Sequence, residues 1–131
     1  MTLSKDEQQK YKELYLRTAR QYVTEMKDNV SQLLTGNETA DVIEALLLSA
    51  HSLKGQSQMM GYDSMSSVSS VLEKIFRAKK DTTFTLSHDL ISKLPDAVQT
   101  MSEDLDEIDN NDKENDVTDV ADMLQTLSGI E

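Results

Sequence analysis

Apolar residues recur at intervals of three and four along most of this chain, which is the spacing of one face of an α-helix. In the first segment, from about Ser4 to Leu34, this stripe is Tyr15, Ala19, Tyr22, Met26, Val30 and Leu33. Thr35-Gly36-Asn37 interrupts the pattern, and Gly36 suits the left-handed conformation that often follows a helix. The pattern predicts a long first helix.

Two further helices are predicted in the middle of the chain. The second starts near Asn37 or Thr39, either of which can cap a helix, and Gly61 can end it. Its inward stripe is Ile43, Leu46, Ala50, Leu53, Ser57 and Met60. Asp63 or Ser64 is expected to cap the third, whose stripe is Met65, Val68, Leu72, Ile75 and the aliphatic stem of Lys79.

A fourth helix is predicted after Ser87, its expected cap, with Leu86 and Ile91 placed as a hydrophobic staple. Its stripe is Leu90, Leu94, Val98, Met101, Leu105 and Ile108. Pro95 falls inside this stripe, where a proline removes a hydrogen bond and costs about 3 kcal/mol. We therefore expect either a kink or a helix that begins near Pro95.

Long amphipathic helices with short connections indicate an all-α protein, an antiparallel up-and-down four-helix bundle with a short additional C-terminal fifth helix. We assign residues 1–108 to the bundle, 109–116 to an acidic linker and 117–131 to an accessory fifth helix. The fifth helix carries Val117, Val120, Ala121, Leu124 and Leu127. We expect it to pack outside the bundle or against a partner.

Composition excludes several classes of function. The chain has 131 residues, no Cys, two His and no Walker loop, so disulfides, thiolate metal sites and autonomous ATP binding are not expected. No apolar run approaches the roughly 20 residues that span a bilayer, and the N-terminus is polar. We expect a cytoplasmic domain with no membrane insertion.

The net charge of −11 is concentrated in the last third of the chain. Residues 1–93 hold 12 acidic and 12 basic side chains, whereas residues 94–131 hold 12 acidic ones and only Lys113 as a base. Nucleic acids and anionic membranes need a basic face, so neither is an expected partner. The acidic third is interpreted as a solvated helix face and a linker.

The second helix carries the candidate chemistry. On a helical wheel His51 lies beside the inward stripe, backed by apolar atoms yet reachable from water, with Lys54 one turn later. Gly55 is unexpected, because a glycine inside a helix costs roughly 0.5–1 kcal/mol. Ordinary alternatives stay open: a boundary histidine, a solvated lysine and a glycine without a role.

His51, Lys54, Gly55 and Gly61, at offsets of 0, +3, +4 and +10, resemble the signature of histidine phosphotransfer domains. The similarity covers residues 40–80 and looks closest to the N-terminal phosphotransfer domains of chemotaxis histidine kinases of the CheA type. In that group a glutamate at offset +22 bonds the imidazole, and Glu73 holds this position. Over the first and fourth helices the similarity is one of pattern only, and the departures from the family here are Gln56, Gln58 and Pro95.

The resemblance implies that His51 is phosphorylated on Nε2 while Glu73 accepts a hydrogen bond from Nδ1–H. Lys54 would offer donors to the phosphoryl oxygens, and Gly55 would leave room for a partner's phosphate pocket. The alternative for Glu73 is a surface ion pair with Arg77 at i+4.

The resemblance also implies partners. A histidine kinase catalytic domain would supply phosphate from ATP, and response regulator receivers of the CheY or CheB type would accept it on an aspartate with their own Mg²⁺. The domain would be a monomer without a cofactor, an N-terminal module of a longer kinase; whether it counts as an enzyme is left open. Two alternatives remain: a free-standing shuttle in a multistep phosphorelay, and a helical interaction module without phosphate chemistry.

Overall fold

The computed structural model describes residues 3–130, which form an up-and-down four-helix bundle with a short fifth helix packed against it. The helices are α1 (Lys5–Leu34), α2 (Ala40–Met60), α3 (Asp63–Asp81), α4 (His88–Asn111) and α5 (Thr118–Ser128). The helix α2 packs between α1 and α3, α4 packs on α1, and α5 contacts α3 and α4. The predicted all-α fold is confirmed. Residues 1, 2 and 131, the outer ends of the assigned segments, lie outside the described part of the chain.

Several predicted helix boundaries are confirmed by their capping hydrogen bonds. The side chain of Ser4 accepts from the Glu7 N–H at 3.1 Å and forms a reciprocal capping box with it. Thr39 and Ser87 cap α2 and α4 in the same way, each accepting from a backbone N–H three residues later. Gly61 ends α2 with φ of 75°, a conformation that glycine adopts without strain.

The apolar stripes meet in one core. Its largest fully buried side chains are Phe76, Met26, Leu46, Leu53, Met65, Leu72, Ile75, Leu90, Leu94, Met101, Leu105 and Ile108. Burying each stabilises the fold by about 1.5–3 kcal/mol relative to exposure. The expected place of Tyr22 in this core is wrong: Val23 is buried and Tyr22 is half-buried. Among the described helices, none is long and apolar enough to cross a membrane.

The helix α4 departs from part of the prediction at each of its ends. It begins at His88 and contains Pro95, so the alternative of a start near Pro95 is wrong. It also runs to Asn111, so the predicted linker begins three residues too early. Arg20 of α1 holds this last stretch through ion pairs with Asp106 at 2.8 Å and Asp109 at 3.3 Å. These contacts come from α1, which is distant in sequence, so the apolar pattern of α4 does not reveal them.

The loop before α5 caps α3, which the sequence did not predict. Neither Asp63 nor Ser64 caps that helix with its side chain. Instead, the carboxylate of Glu114 accepts from the backbone N–H of Met65 at 3.0 Å. The hydroxyl of Ser64 accepts from the Val117 N–H at 2.7 Å. A carboxylate at a helix N-terminus is favoured by the helix dipole, so this loop fastens α5 to the start of α3.

Asp104 of α4 is a fully buried acid below the same loop. Its Oδ1 accepts from the Asn115 N–H, and its Oδ2 has no hydrogen-bond partner among the described residues. The pKa of Asp104 is raised from 3.8 to about 6: burial is the largest cause, Glu114 and Glu107 also raise it, and the bond from Asn115 lowers it. The buried acid therefore binds its proton more tightly in the folded protein than in the unfolded chain.

Asp104→Asn is expected to raise the free energy of unfolding at pH 7 by about 1–3 kcal/mol. The folded pKa lies above the unfolded one, so the carboxylate costs stability progressively from about pH 4 to pH 6, and the cost persists above pH 6. At pH 4 the substitution should have little effect. Urea unfolding at the two pH values measures this, with the exposed Asp96→Asn on the same helix as a control. An equal effect at both pH values would contradict it.

Candidate functional site

The helices α2 and α3 bring His51, Lys54 and Glu73 together, an arrangement that the family resemblance implies for Glu73. The Nδ1 atom of His51 lies 2.9 Å from Oε2 of Glu73 and 3.2 Å from Oε1. The Nζ atom of Lys54 donates to Oε1 at 2.8 Å. One carboxylate thus joins two residues that are one turn apart on the neighbouring helix.

The three side chains differ sharply in their exposure to solvent. The His51 side chain is 60% exposed, that of Lys54 26% and that of Glu73 only 9%. Burial by itself raises the pKa of Glu73, but the hydrogen bonds from Lys54 and His51 outweigh it, so this pKa lies below its usual value. Glu73 is therefore an ionised carboxylate at neutral pH, covered by its two partners.

This charge state decides which nitrogen of a neutral His51 carries the proton. An ionised carboxylate only accepts hydrogen bonds, so Nδ1 must be the protonated nitrogen. The lone pair then lies on Nε2, which has no hydrogen-bond partner among the described residues. An exposed nitrogen lone pair, oriented by a buried carboxylate on the opposite side of the ring, is suited to nucleophilic attack.

Two findings add to the predicted roles of the cations. Lys54 was expected to face a phosphoryl group, whereas its ammonium here is bound to Glu73. Arg77, one turn after Glu73 on α3, places its Nη2 3.9 Å from the same Oε1. The i+4 spacing predicts Arg77 as an alternative partner for Glu73. In the structure His51, Lys54 and Arg77 all surround this one carboxylate.

A comparison with known families identifies the group to which this site belongs. The sequence model described as the Hpt domain matches residues 10–104, which covers most of α1 through α4. The chain belongs to the Hpt domain family. Hpt domains serve histidine phosphotransfer in two-component signalling, with histidine kinases and response regulators as their general partners.

One curated relative resembles this Hpt domain over most of its length. The chain is 25% identical over 113 residues to the "Chemotaxis protein CheA" of Borreliella burgdorferi, an alignment that covers 86% of this chain. The same alignment covers 13% of that relative, so the Hpt domain corresponds to a small part of it. No solved structure shows a significant match.

Exposed apolar side chains flank His51 on the surface of the Hpt domain. At 100° per residue, Leu48, His51, Gly55 and Met59 fall within an arc of about 80° on α2. Leu48 is 56% exposed and Met59 is 89% exposed. Apolar groups around an exposed reactive side chain are typical of a surface that binds a partner.

Gly55 lies in the middle of this face, and the fold itself does not require it. The residue is inside regular helix, and a Cβ atom built there would have no neighbour within 4 Å. A side chain would therefore fit the isolated domain. The packing of the described residues therefore does not explain the glycine, whereas a partner that approaches the helix closely would favour it despite its cost to the helix.

Substitution of Gly55 is expected to separate stability from transfer. Gly55→Ala and Gly55→Leu should each raise the free energy of unfolding by about 0.5–1 kcal/mol, because both residues favour a helix. The rate of phosphorylation should fall slightly for alanine and by about tenfold or more for leucine. The larger side chain would hold the partner's phosphate away from His51, so the reacting atoms would no longer be aligned. Urea unfolding and initial rates of phosphorylation measure the two effects. A leucine variant with wild-type transfer would show that no partner approaches this point.

Proposed function

We propose that this Hpt domain is the phosphotransfer module of a chemotaxis histidine kinase of the CheA type. His51 takes a phosphoryl group from ATP held by a kinase catalytic domain and passes it to an aspartate of a response regulator. The receivers are of the CheY or CheB type. ATP and Mg²⁺ belong to these partners, and the module works in the cytoplasm, where its phosphate donor is found.

The observation that carries the proposal is the contact between Nδ1 of His51 and the buried carboxylate of Glu73. It gives the imidazole one tautomer and one orientation, with Nε2 toward solvent. A histidine that only needed a hydrogen-bond partner for its own burial would not leave 60% of its side chain exposed. The buried carboxylate and the exposed ring together support a nucleophile rather than a packing residue.

In the first step the Nε2 lone pair attacks the γ-phosphorus of ATP. A P–N bond forms, the bond from that phosphorus to the bridging oxygen breaks, and ADP leaves with the electron pair. The ring gains positive charge as it gives up its lone pair, and Glu73, facing Nδ1–H, stabilises this charge. The residues of the domain thus contribute positioning and electrostatics, which dominate phosphoryl-transfer catalysis.

In the second step the carboxylate oxygen of a receiver aspartate attacks the same phosphorus. The P–N bond breaks, and its electron pair returns to Nε2. The receiver must reach a phosphorus that stands on the surface of α2, and the flat helix face at Gly55 allows that approach. Leu48 and Met59 supply apolar contact area beside it, continued by a shallow groove lined by Tyr11 and Leu14.

The chemotaxis assignment is supported by the name of the relative and by the resemblance of residues 40–80 to that group. Glu73 also supports it, because the CheA-type group carries a glutamate at this offset from the histidine.

The test is to incubate the domain with its cognate kinase catalytic domain and ³²P-labelled ATP. The domain should gain phosphate that is labile in acid and stable in base, as expected for a phosphohistidine. Addition of a CheY-type receiver with Mg²⁺ should then remove the label from the domain. No labelling would overturn the proposed function. Labelling followed by transfer only to receivers unrelated to CheY and CheB would overturn the chemotaxis assignment and favour the phosphorelay shuttle.

A further inference from the structure

We propose that Arg77 is a positioning residue, which binds the carboxylate of Glu73 in place of Lys54 when Lys54 moves to the phosphoryl group. This inference rests on the proposed function, because it describes what the side chains around His51 do as phosphate arrives. Arg77 is then a second cation that lies beside the carboxylate of Glu73 and can bind it after Lys54 has left.

The geometry places two cations on one oxygen atom. Lys54 donates to Oε1 of Glu73 at 2.8 Å, and Arg77 Nη2 stands 3.9 Å from the same atom. The first distance is a direct hydrogen bond, whereas the second is about 1 Å too long for one. Arg77 is thus close enough to bond Glu73 after a small side-chain movement, at the oxygen atom to which Lys54 now donates.

Lys54 has a competing attraction once a phosphoryl group reaches Nε2. It lies one turn from His51 on the same helix, and the incoming group brings a charge of about −1.5 to −2. Glu73 carries one negative charge, so the phosphoryl oxygens are the stronger site for an ammonium. If Lys54 left without replacement, a carboxylate that is 9% exposed would keep only its bond to His51.

Arg77 can replace Lys54 at Glu73 because it lies on α3, whereas Lys54 lies on α2. Arg77 sits on α3 one turn beyond Glu73, and its side chain is 52% exposed, so it can move without rearrangement of the core. A guanidinium offers several N–H donors to a carboxylate. The exchange keeps Glu73 ionised and paired throughout, which keeps the Nδ1–H of His51 oriented while Lys54 binds phosphate.

The experiment is a double-mutant cycle on the initial rate of phosphorylation at saturating domain concentration. Arg77→Gln should slow the reaction about five- to tenfold when Lys54 is present, because the lysine then cannot leave Glu73 without cost. In the Lys54→Gln background Arg77 binds Glu73 both before and during the reaction. Loss of Arg77 therefore affects the ground state and the transition state alike. There, Arg77→Gln should change the rate by less than about twofold.

Two comparisons exclude a merely structural or general charge effect. Arg77→Lys should restore most of the rate, and Lys74→Gln, which removes a neighbouring exposed cation without an ion pair among the described residues, should leave the rate unchanged. By ¹⁵N NMR, the side-chain N–H signals of Arg77 should shift on phosphorylation of the wild type, and likewise in unphosphorylated Lys54→Gln.

The outcomes decide between the two proposals. Equal slowing by Arg77→Gln in both backgrounds, or a wild-type rate in Arg77→Gln, would overturn the exchange and leave the phosphotransfer function intact. A wild-type domain that takes up no phosphate would overturn both, and is recognised without any variant. Arg77 signals that do not respond to phosphorylation would also count against the exchange.

Discussion

Replacing His51 with glutamine is expected to abolish phosphate uptake by this domain, with labelling from ATP reduced to background. The amide nitrogen of glutamine shares its lone pair with the carbonyl group and cannot attack phosphorus. No other side chain among the described residues stands in the same position, exposed and oriented by Glu73. Loss of a nucleophile removes the reaction pathway itself, so this is the largest effect expected of any substitution in the chain.

The His51→Gln variant should remain folded, so its inactivity can be interpreted. The side chain is 60% exposed, its contact with Glu73 is its one side-chain hydrogen bond among the described residues, and Lys54 still pairs with that carboxylate. The free energy of unfolding should fall by about 1 kcal/mol or less. His88→Gln serves as the matched control, because His88 is exposed in the first turn of α4. Label that persists in His51→Gln but disappears in His88→Gln would refute the assignment.

Glu73→Gln is expected to slow phosphorylation about 30- to 100-fold, the second largest effect. The amide oxygen can still accept from Nδ1–H, but it lacks the negative charge that stabilises the ring as Nε2 attacks. A hydrogen bond to a charged group contributes about 1.5–3 kcal/mol, and each 1.4 kcal/mol corresponds to roughly a tenfold rate. The loss should appear in kcat more than in KM, because the charge on the ring develops only in the transition state.

The same substitution has a defined effect on stability. The folded pKa of Glu73 lies below its unfolded value, so the carboxylate stabilises the fold above about pH 4.5 and loses this contribution as the pH falls through the folded pKa. Glu73→Gln should therefore lower stability at pH 7 and have little effect under strongly acidic conditions. Glu44→Gln, which breaks the exposed ion pair with Lys80, is the control. A wild-type rate of phosphorylation in Glu73→Gln would show that Glu73 is only a structural partner of Lys54 and Arg77.

The sequence predicted the site as well as it did because its members lie at fixed distances along helices. His51, Lys54 and Gly55 share one face of α2 through spacing alone. The place of Glu73 came from the resemblance to a family, since no periodicity within α2 can locate a residue of the next helix. The structure brings all of these residues to one place, and their functional roles stay predictions until they are measured.

Each error has a physical cause. Tyr22 falls in the predicted core stripe because a stripe at spacings of three and four tolerates a shift of one residue. The apolar stripe of α4 ends at Ile108, whereas the helix runs to Asn111, and Arg20 of α1 pairs with Asp109 in this last turn. The cap of α3 was sought locally, whereas Glu114 supplies it from the loop before α5. At the end of α4 and at the start of α3, contacts between segments far apart in sequence complete what the local pattern leaves open.

The sequence by itself determined the helical bundle, the face that carries His51 and the acidic net charge, because periodicity, capping residues and charge are properties of the chain. Only the tertiary structure determined which nitrogen of His51 carries the proton and which side chains contact Glu73. The ionisation of Glu73 depends on how deeply α2 and α3 bury it and on which cations reach it. The 2.8 Å and 3.9 Å approaches of Lys54 and Arg77 to one oxygen atom exist only once two helices are packed together.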